Sequence, residues 1–378
     1  MLIEETMRQI LSFGPRAVGS NGEKLTADFL ADQFRQANLK VLRQEFLASR
    51  FPLFFLGKVI PLISIGVLLT AASIYLDHPV IAAVLLLLFL AQATLISFLS
   101  SLPAFPDWGK KLKSANIIGR THPVNDQNPT LILVAHYDSK SQTLPLIIRM
   151  VCVILPIVCC AILLVLMLLT IGMVSIPHRF IIFLYVLAVV FLILQIASRN
   201  SNRSSGAIDN ASGVTILLTM AAELPSQLAG KANLIFLASG AEELSLTGAK
   251  AFIRTYSHQL NRNRSLIINF DSMGTGAGVI MVGSRSFKKN GQVAQIRNLF
   301  RQAGLGFRFI FFMIGAGMDH IPFSRAGFSA MSFTQTSLRS GLRIHSAADR
   351  LEYVNTEQLT LLTKVFGQLI ARFYKTAP

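Results

Sequence analysis

Apolar and polar positions divide the chain into two kinds of segment. Four runs, at residues 53–76, 79–102, 150–176 and 180–198, carry almost no charge. Each is long enough to cross a bilayer, which takes roughly 20 apolar residues. They come as two pairs with very short links, Asp77 and His78 in the first and Pro177, His178 and Arg179 in the second. Each pair predicts a helical hairpin that returns the chain to its starting side. The remaining segments then share one face of the membrane. The expected organisation is one composite domain in three parts, 1–50, 103–143 and 200–378, interrupted by transmembrane hairpins at 51–102 and 144–199.

Within those three parts the apolar spacing becomes that of an α/β domain. Residues 25–36 place apolar side chains at helical intervals, 41–46 can form a strand, and a short strand is expected near 116–118. Residues 130–135 are a continuous apolar run that ends in charged residues, as in a buried sheet strand with a site at its carboxyl end. A helix over 213–223, a strand over 233–238, a helix over 246–256 and a strand over 265–270 follow. This alternation predicts an α/β sheet with helices on both faces. Residues 1–13 are amphipathic and carry Glu4, Glu5 and Arg8, unlike the apolar core of a cleavable signal peptide.

Composition sharpens the picture. Hydrophobic residues make up 52% and charged residues only 14%, where globular proteins carry about 25% charged; a disordered chain and an ordinary soluble protein are both excluded. The formal net charge is +16. No basic stripe with interleaved aromatics accompanies it, so nucleic acid is not an expected partner. The charge follows topology instead: Arg43, Arg50, Lys110, Lys111, Lys113, Lys140, Arg199 and Arg203 flank the spans on the domain side, against Arg179 on the other. The positive-inside rule puts the domain in the cytoplasm, with the lipid bilayer as a partner. Lys58 and Arg149, near span ends, fit snorkelling to the headgroups. Gln92 and Gln195 are too few polar groups for a transport path, so the spans read as an anchor. Cys152, Cys159 and Cys160 lie in one apolar run and imply no disulfide framework.

Candidate chemistry gathers at strand ends. His136 closes the 130–135 strand with Asp138 two residues on, a pair that can set an imidazole on a metal or simply form a satisfied surface histidine. Glu242 and Glu243 follow the 233–238 strand; adjacent carboxylates usually mark a solvated loop, unless a metal lets one ligate while the other takes a proton from water. Asp271 closes the 265–270 strand as a cap or a ligand. Asp209 stands among small residues ahead of a helix, where an N-cap is the alternative. His345, with Ser346 and Asp349, lies in a polar loop near the C-terminus. These weak signals reinforce one another, because an open α/β sheet collects its site at the carboxyl ends of its strands.

In chain order, AHYDS (135–139), GAIDNASGV (206–214), GAEEL (240–244), NFDSMG (269–274) and RIHSAADRLEYV (343–354) resemble the co-catalytic zinc aminopeptidases of metallopeptidase family twenty-eight. SFGPRAVGSNG (12–22) and MDHIPFSRAGFSAMSFT (318–334) join the likeness, which covers the globular parts and none of the spans. The resemblance implies a zinc aminopeptidase-like fold, an α/β domain with a mixed central sheet and helices on both faces, together with two zinc ions per chain and hydrolysis of the N-terminal bond of a peptide substrate. By position it makes His136 and Asp271 ligands of one zinc, Glu243 and His345 ligands of the other, and Asp209 the bridge. Asp138 would orient His136, and Glu242 would be the general base that activates the attacking water. Asp319 and His320 match a recurring pair on the family's substrate side, although a structural hydrogen-bonded pair would look the same. Manganese or cobalt could use similar ligands.

The hairpins depart from the family pattern. The second enters between His136 and Asp209, which leads to the expectation of a site close to the membrane surface and of membrane-associated peptides as substrates. Glutaminyl cyclases offer a rival resemblance: they share the fold, HYDSK (136–140), an EE pair and a DHIPF-like segment (319–323), use one zinc, and cyclise an N-terminal glutamine. The DNASG run (209–213) leans toward the peptidases. A non-catalytic scaffold fits less well, since all five candidate ligands and Glu242 are present. Nothing in the pattern sets an oligomeric state or the preferred N-terminal residue.

Overall fold

The short apolar segments of the α/β parts become the middle of a sheet. A computed structural model of the chain describes residues 3–100, 108–121, 128–289, 291–313 and 317–375; the expected end of the second span, at residue 102, lies outside them. Its strands are β1 (Lys40–Ser49), β2 (Lys111–Arg120), β3 (Thr130–His136), β4 (Ser141–Gln142), β5 (Asn200–Ser201), β6 (Asn233–Ser239), β7 (Ser265–Phe270), β8 (Val279–Gly283), β9 (Phe307–Ile310) and β10 (Ser329–Thr334). Eight form one sheet in the order β1-β2-β6-β3-β7-β10-β8-β9, and β4 pairs with β5 in a separate ribbon. β6, β3, β7 and β10 run parallel to their neighbours in that order. β2 is antiparallel to β6, and β8 to β10, so the sheet is mixed.

Alternation of side chains along the buried strands gives the sheet two apolar faces. On one, Ile132, Val134, Ile235, Leu237 and Ile267 pack with Phe252 of helix Thr247–Tyr256 and Phe323 of helix His320–Arg325. On the other, Phe236 meets Phe34 of helix Asn21–Gln36, and Phe270 meets Phe366 of helix Thr356–Lys375 at 4.8 Å between ring centroids. Each fully buried Phe or Ile of this kind contributes roughly 1.5–3 kcal/mol. The parallel strands all end on one edge of the core, and that edge holds the site.

The chain divides into two units, one of Met1–Ala48, Lys111–Pro145 and Asn200–Pro378 and one of Ser49–Lys110 and Leu146–Arg199. Trp108 groups with the first hairpin because Ser49 Oγ donates to its carbonyl and Phe51 packs on its ring at 5.3 Å. In the second unit, among the described residues, four helices are long and apolar enough to cross a membrane: Phe51–Ile74, Pro79–Ile96, Leu146–Ile171 and His178–Ala197. The third starts four residues ahead of the expected run and stops short of its end, at Gly172 and the left-handed Met173. Small residues such as Ala71, Ala82, Cys160 and Ala188 line the inside of this bundle, while Leu62, Leu88, Val165 and Phe183 are exposed on its outside. Leu68, Leu86, Leu163 and Tyr185 fill the interior beside them, and an apolar exterior closed by small residues at helix contacts is an arrangement that suits lipid.

The start of helix Asn21–Gln36 carries a buried acid. Ser20 Oγ accepts from the Glu23 amide at 3.2 Å, and the Glu23 carboxylate accepts from the Gly19 amide and from Ser114 Oγ, both at 2.5 Å. The acid thereby pins the helix start to β2. Burial raises its pKa to about 7 against the lowering effect of those two hydrogen bonds. Between the ordinary glutamate value of about 4.3 and about 7 the folded chain holds more protons than the unfolded chain, so this residue's contribution to stability falls as pH rises through that window. Glu23→Gln is expected to match the wild type near pH 5 and to lose less stability on going to pH 8. Chemical denaturation at the two pH values measures this, and an unchanged pH difference would contradict it.

Candidate metal centre

β3 ends in His136, and two residues later the fully buried Asp138 reaches across to the next loop. Its Oδ1 accepts from the Glu242 amide at 3.0 Å and its Oδ2 from the Glu243 amide at 3.1 Å. One carboxylate therefore docks the loop after β6 on the loop after β3. His136 Nδ1 lies 3.2 Å from the Asp138 carbonyl oxygen, which favours the ring proton on Nδ1 and leaves Nε2 turned into the site.

That Nε2 is 3.1 Å from Asp209 Oδ1 and 3.9 Å from Asp271 Oδ1. The other oxygen of Asp209, Oδ2, is 3.0 Å from His345 Nε2, which is 2.9 Å from Glu243 Oε1. Asp209 thus stands between two buried groups, His136, Asp209 and Asp271 on one side and Asp209, Glu243 and His345 on the other. Within each group the donor atoms lie within 4.8 Å of one another. The five side chains that the sequence pattern nominates as ligands are brought together, with Asp209 in the shared position.

The Asp209 loop is held from three directions. Asp349 accepts from the amides of Ile208 at 2.6 Å and Asp209 at 3.2 Å. Asn210 donates through Nδ2 to the Phe270 carbonyl at 2.9 Å and accepts through Oδ1 from the Ser272 amide at 3.2 Å, which ties this loop to that of Asp271. Gly206 opens the loop at φ +62, and a Cβ there would come within 2.7 Å of the Asp209 carbonyl oxygen. The third tie was not anticipated. Arg16 is completely buried, and its guanidinium donates to the carbonyls of Tyr137 at 2.7 Å, Ser205 at 2.6 Å and Gly206 at 2.9 Å. It clamps the His136 loop to the Asp209 loop. Burial lowers its pKa to about 10 while Asp349, Asp138 and Asp209 pull it up, so it stays charged. The only advance signal was its place in the SFGPRAVGSNG segment.

The centre is strongly negative. Burial alone would raise Asp209, yet hydrogen bonds to His136 and His345 hold its carboxyl well below the usual range. Glu243 is brought down to about 2 by His345 and Lys140 in spite of burial. Both imidazoles are raised although burial opposes this, His136 by Glu242 and its hydrogen bonds to acids and His345 chiefly by Glu243. Glu242 is raised far above the carboxylate range by burial and by Glu243, Asp319 and Asp271. Asp319 receives Ser239 Oγ on one oxygen, and its other oxygen is buried without a hydrogen bond among the described residues; burial lifts its pKa to about 7. His320 instead pairs through Nδ1 with Ser332 Oγ at 2.6 Å, and burial lowers it to about 4.

Divalent cations suit this donor set. Two imidazole nitrogens and three carboxylates converge, and the imidazoles' raised proton affinity reports a field that favours cations. Nitrogen and oxygen donors in this mixture are those that zinc takes. Asp138→Asn leaves one of the two amides without an acceptor. It is expected to cost about 1–3 kcal/mol in denaturation and to weaken metal binding roughly 10- to 100-fold in a chelator competition.

Residues 116–370 match the family model described as Peptidase family M28. Aminopeptidase YwaD of Bacillus subtilis (strain 168) is 28% identical over 162 residues, 41% of this chain and 35% of that protein, so the match spans about a third of the relative's length. Among solved structures, BSAP, a zinc aminopeptidase from Bacillus subtilis, superposes with a TM-score of 0.57 at 16% identity, covering 100% of this chain and 96% of that chain. Fimbriiglobus ruber glutaminyl cyclase gives a TM-score of 0.56 at 14% identity, covering 98% and 94%. These structural likenesses establish the fold, a zinc aminopeptidase-like mixed sheet flanked by helices.

Proposed function

The chain belongs to peptidase family M28, and from that premise we propose that it is a membrane-integrated, zinc-dependent aminopeptidase hydrolysing the N-terminal bond of peptide substrates. The observation that carries this reading is the pair of ligand groups joined through Asp209, with Glu242 beside them. His136 and Asp271 would hold one zinc and Glu243 and His345 the other, with Asp209 reaching both. Bound there, the two ions would supply Lewis acidity toward the scissile carbonyl and the attacking water.

The chain's own residues supply the proton handling. Glu242 takes a proton from the attacking water and returns it to the leaving amine; burial and the neighbouring acids raise its proton affinity, the direction that a proton carrier needs. Asp138 fixes the backbone on which Glu242 is carried and sets the tautomer of His136. Asp319 has an unpaired buried oxygen to offer the ammonium of a substrate N-terminus, while the adjacent His320 pairs with Ser332.

A glutaminyl cyclase reading stands second, supported by the likeness to the Fimbriiglobus ruber enzyme and by the HYDSK and DHIPF segments. The two separate cleanly on detergent-purified protein. Elemental analysis is expected to give about two zinc ions per chain, with amine release from aminoacyl amides and no cyclisation of an N-terminal glutamine peptide. Glu242→Gln is expected to lower kcat by roughly 10²- to 10⁴-fold with metal content unchanged. One zinc with cyclisation would establish the second reading instead.

We place the sheet unit in the cytoplasm on the charge bias around the four apolar helices. The native cysteines are all buried in one of those helices, so a cysteine introduced at the exposed Lys231 gives a clean reporter. It is expected to resist a membrane-impermeant maleimide in intact cells and to react after permeabilisation; labelling of intact cells would reverse the topology.

A further inference from the structure

The sheet unit exchanges the chain with the apolar helices at one edge. β2, the first strand after the first hairpin, is antiparallel to β6 with Ile117 opposite Ala238, so its first residue, Lys111, lies beyond the carboxyl end of β6. The second hairpin departs after Gln142 and returns at Asn200, and those two residues pair in the ribbon that follows the carboxyl end of β3. Three of the four junctions thus stand on the edge where the ligand groups gather.

On that edge a short helix presents two exposed leucines. Helix Leu338–Arg343 follows β10 and ends two residues before His345. Its start is fixed by Ser337 and Ser340, whose hydroxyls each accept from the other's amide, at 3.2 and 2.8 Å. Ser340 and Gly341 are buried, while Leu338 and Leu342, one turn apart on a common face, are 66% and 44% exposed. Leu338 is the most exposed leucine of the sheet unit among the described residues. The His345 carbonyl accepts from the Gln142 amide at 2.8 Å, which binds this segment to the ribbon that opens into the second hairpin.

The charge around the leucines has one sign. Residues 336–348 contain Arg339 and Arg343 and no acid. Arg339 is exposed, as is Arg203 just past the ribbon, and neither has an ion-pair partner among the described residues. Arg343 lies over the ring of the exposed Tyr353 at 3.6 Å. Leucines beside arginines and a tyrosine are the composition of a surface that beds into the boundary between the headgroups and acyl chains of anionic lipid. The wall of a peptide groove would also use leucine, but the flanking arginines and the junctions on the same edge favour lipid. Resting on the membrane-integrated reading above, we propose that the site-bearing edge of the sheet unit docks on the bilayer through this helix. Leu338 and Leu342 enter the acyl boundary, and Arg339 and Arg203 meet anionic phospholipid headgroups.

The experiment uses the full chain in nanodiscs of phosphatidylcholine and phosphatidylglycerol that include a lipid with a nitroxide near the top of its acyl chain. A fluorophore is attached through Leu338→Cys or Leu342→Cys, and through Lys231→Cys as the reference, because Lys231 precedes the amino end of β6 on the opposite edge. Quenching at 338 and 342 is expected to exceed that at 231 by about twofold or more. Adding Leu338→Ser is expected to lower the quenching at 342, and adding Arg203→Gln with Arg339→Gln to lower it at both positions by about half or more. Equal quenching at all three positions, or quenching at 342 that ignores Leu338→Ser, would overturn the docking; quenching that ignores the arginine changes would overturn the part given to anionic headgroups. The measurement needs neither substrate nor metal, so a failure to bind zinc or to hydrolyse amides bears on the reading of the site alone. A chain that does not enter the discs would overturn the membrane reading and this inference with it.

Discussion

Seven acidic side chains, Asp138, Asp209, Glu242, Glu243, Asp271, Asp319 and Asp349, are buried around the carboxyl ends of the central strands, and their mutual repulsion is the constraint that the surrounding structure answers. Desolvating one unpaired carboxylate is costly, and desolvating several together is more so. The answers are of different kinds. Asp138 and Asp349 each take two backbone amides, which spreads their charge into the loops they hold. Arg16 puts a guanidinium beneath the cluster without pairing with any single acid, because its donors go to main-chain carbonyls. The two histidines answer Asp209 from both sides. What remains is a surplus of negative charge facing inward, which is the electrostatic description of a cation site.

Much of the fold was legible because burial on both faces leaves a plain mark. Residues 130–135, 233–238 and 265–270 are dominated by leucine, isoleucine and phenylalanine and became β3, β6 and β7. The far side of the sheet was missed for physical reasons. β10 is written SAMSFT, and its buried Ser332 is satisfied by Asn269 and His320 rather than by apolar neighbours, so its polarity hides it. β9 is a half-exposed edge of four residues, and β8 follows a glycine-containing turn. β2 was expected near residues 116–118 and runs from Lys111 to Arg120, because its first residues are polar while its last half is buried beside β6. At the site, the side chains with distinctive chemistry announced themselves. Arg16 did not, because its partners are carbonyls that no side-chain identity encodes.

The two units follow opposite rules for the same amino acids. In the sheet unit leucine and isoleucine point inward and charge is gathered, at electrostatic expense, in one place. In the helical unit exposed leucine, valine and phenylalanine also form the outside, and the inside is filled by leucine and tyrosine with alanine and cysteine between them and by the Tyr75 to His178 contact at 3.4 Å between the two hairpin turns. Lys58 donates to the carbonyls of Ile196 and Ser198, so even the one cation of the first apolar helix is spent on the open end of the fourth. Neither hairpin contributes a side chain to the ligand groups, which are drawn entirely from the sheet unit.

The ribbon of β4 and β5 bears on how the second hairpin joins the sheet unit. Ser141 stands opposite Ser201 and Gln142 opposite Asn200, so the chain departs from the sheet unit and rejoins it across a single strand spacing of about 4.7–4.9 Å. Seen from the sheet, the whole second hairpin fills the gap that a two-residue turn would bridge. Insertion or removal of the second hairpin at that point leaves the register of every strand in the main sheet unchanged. The second hairpin and the geometry of the ligand groups are therefore structurally separable features of the chain.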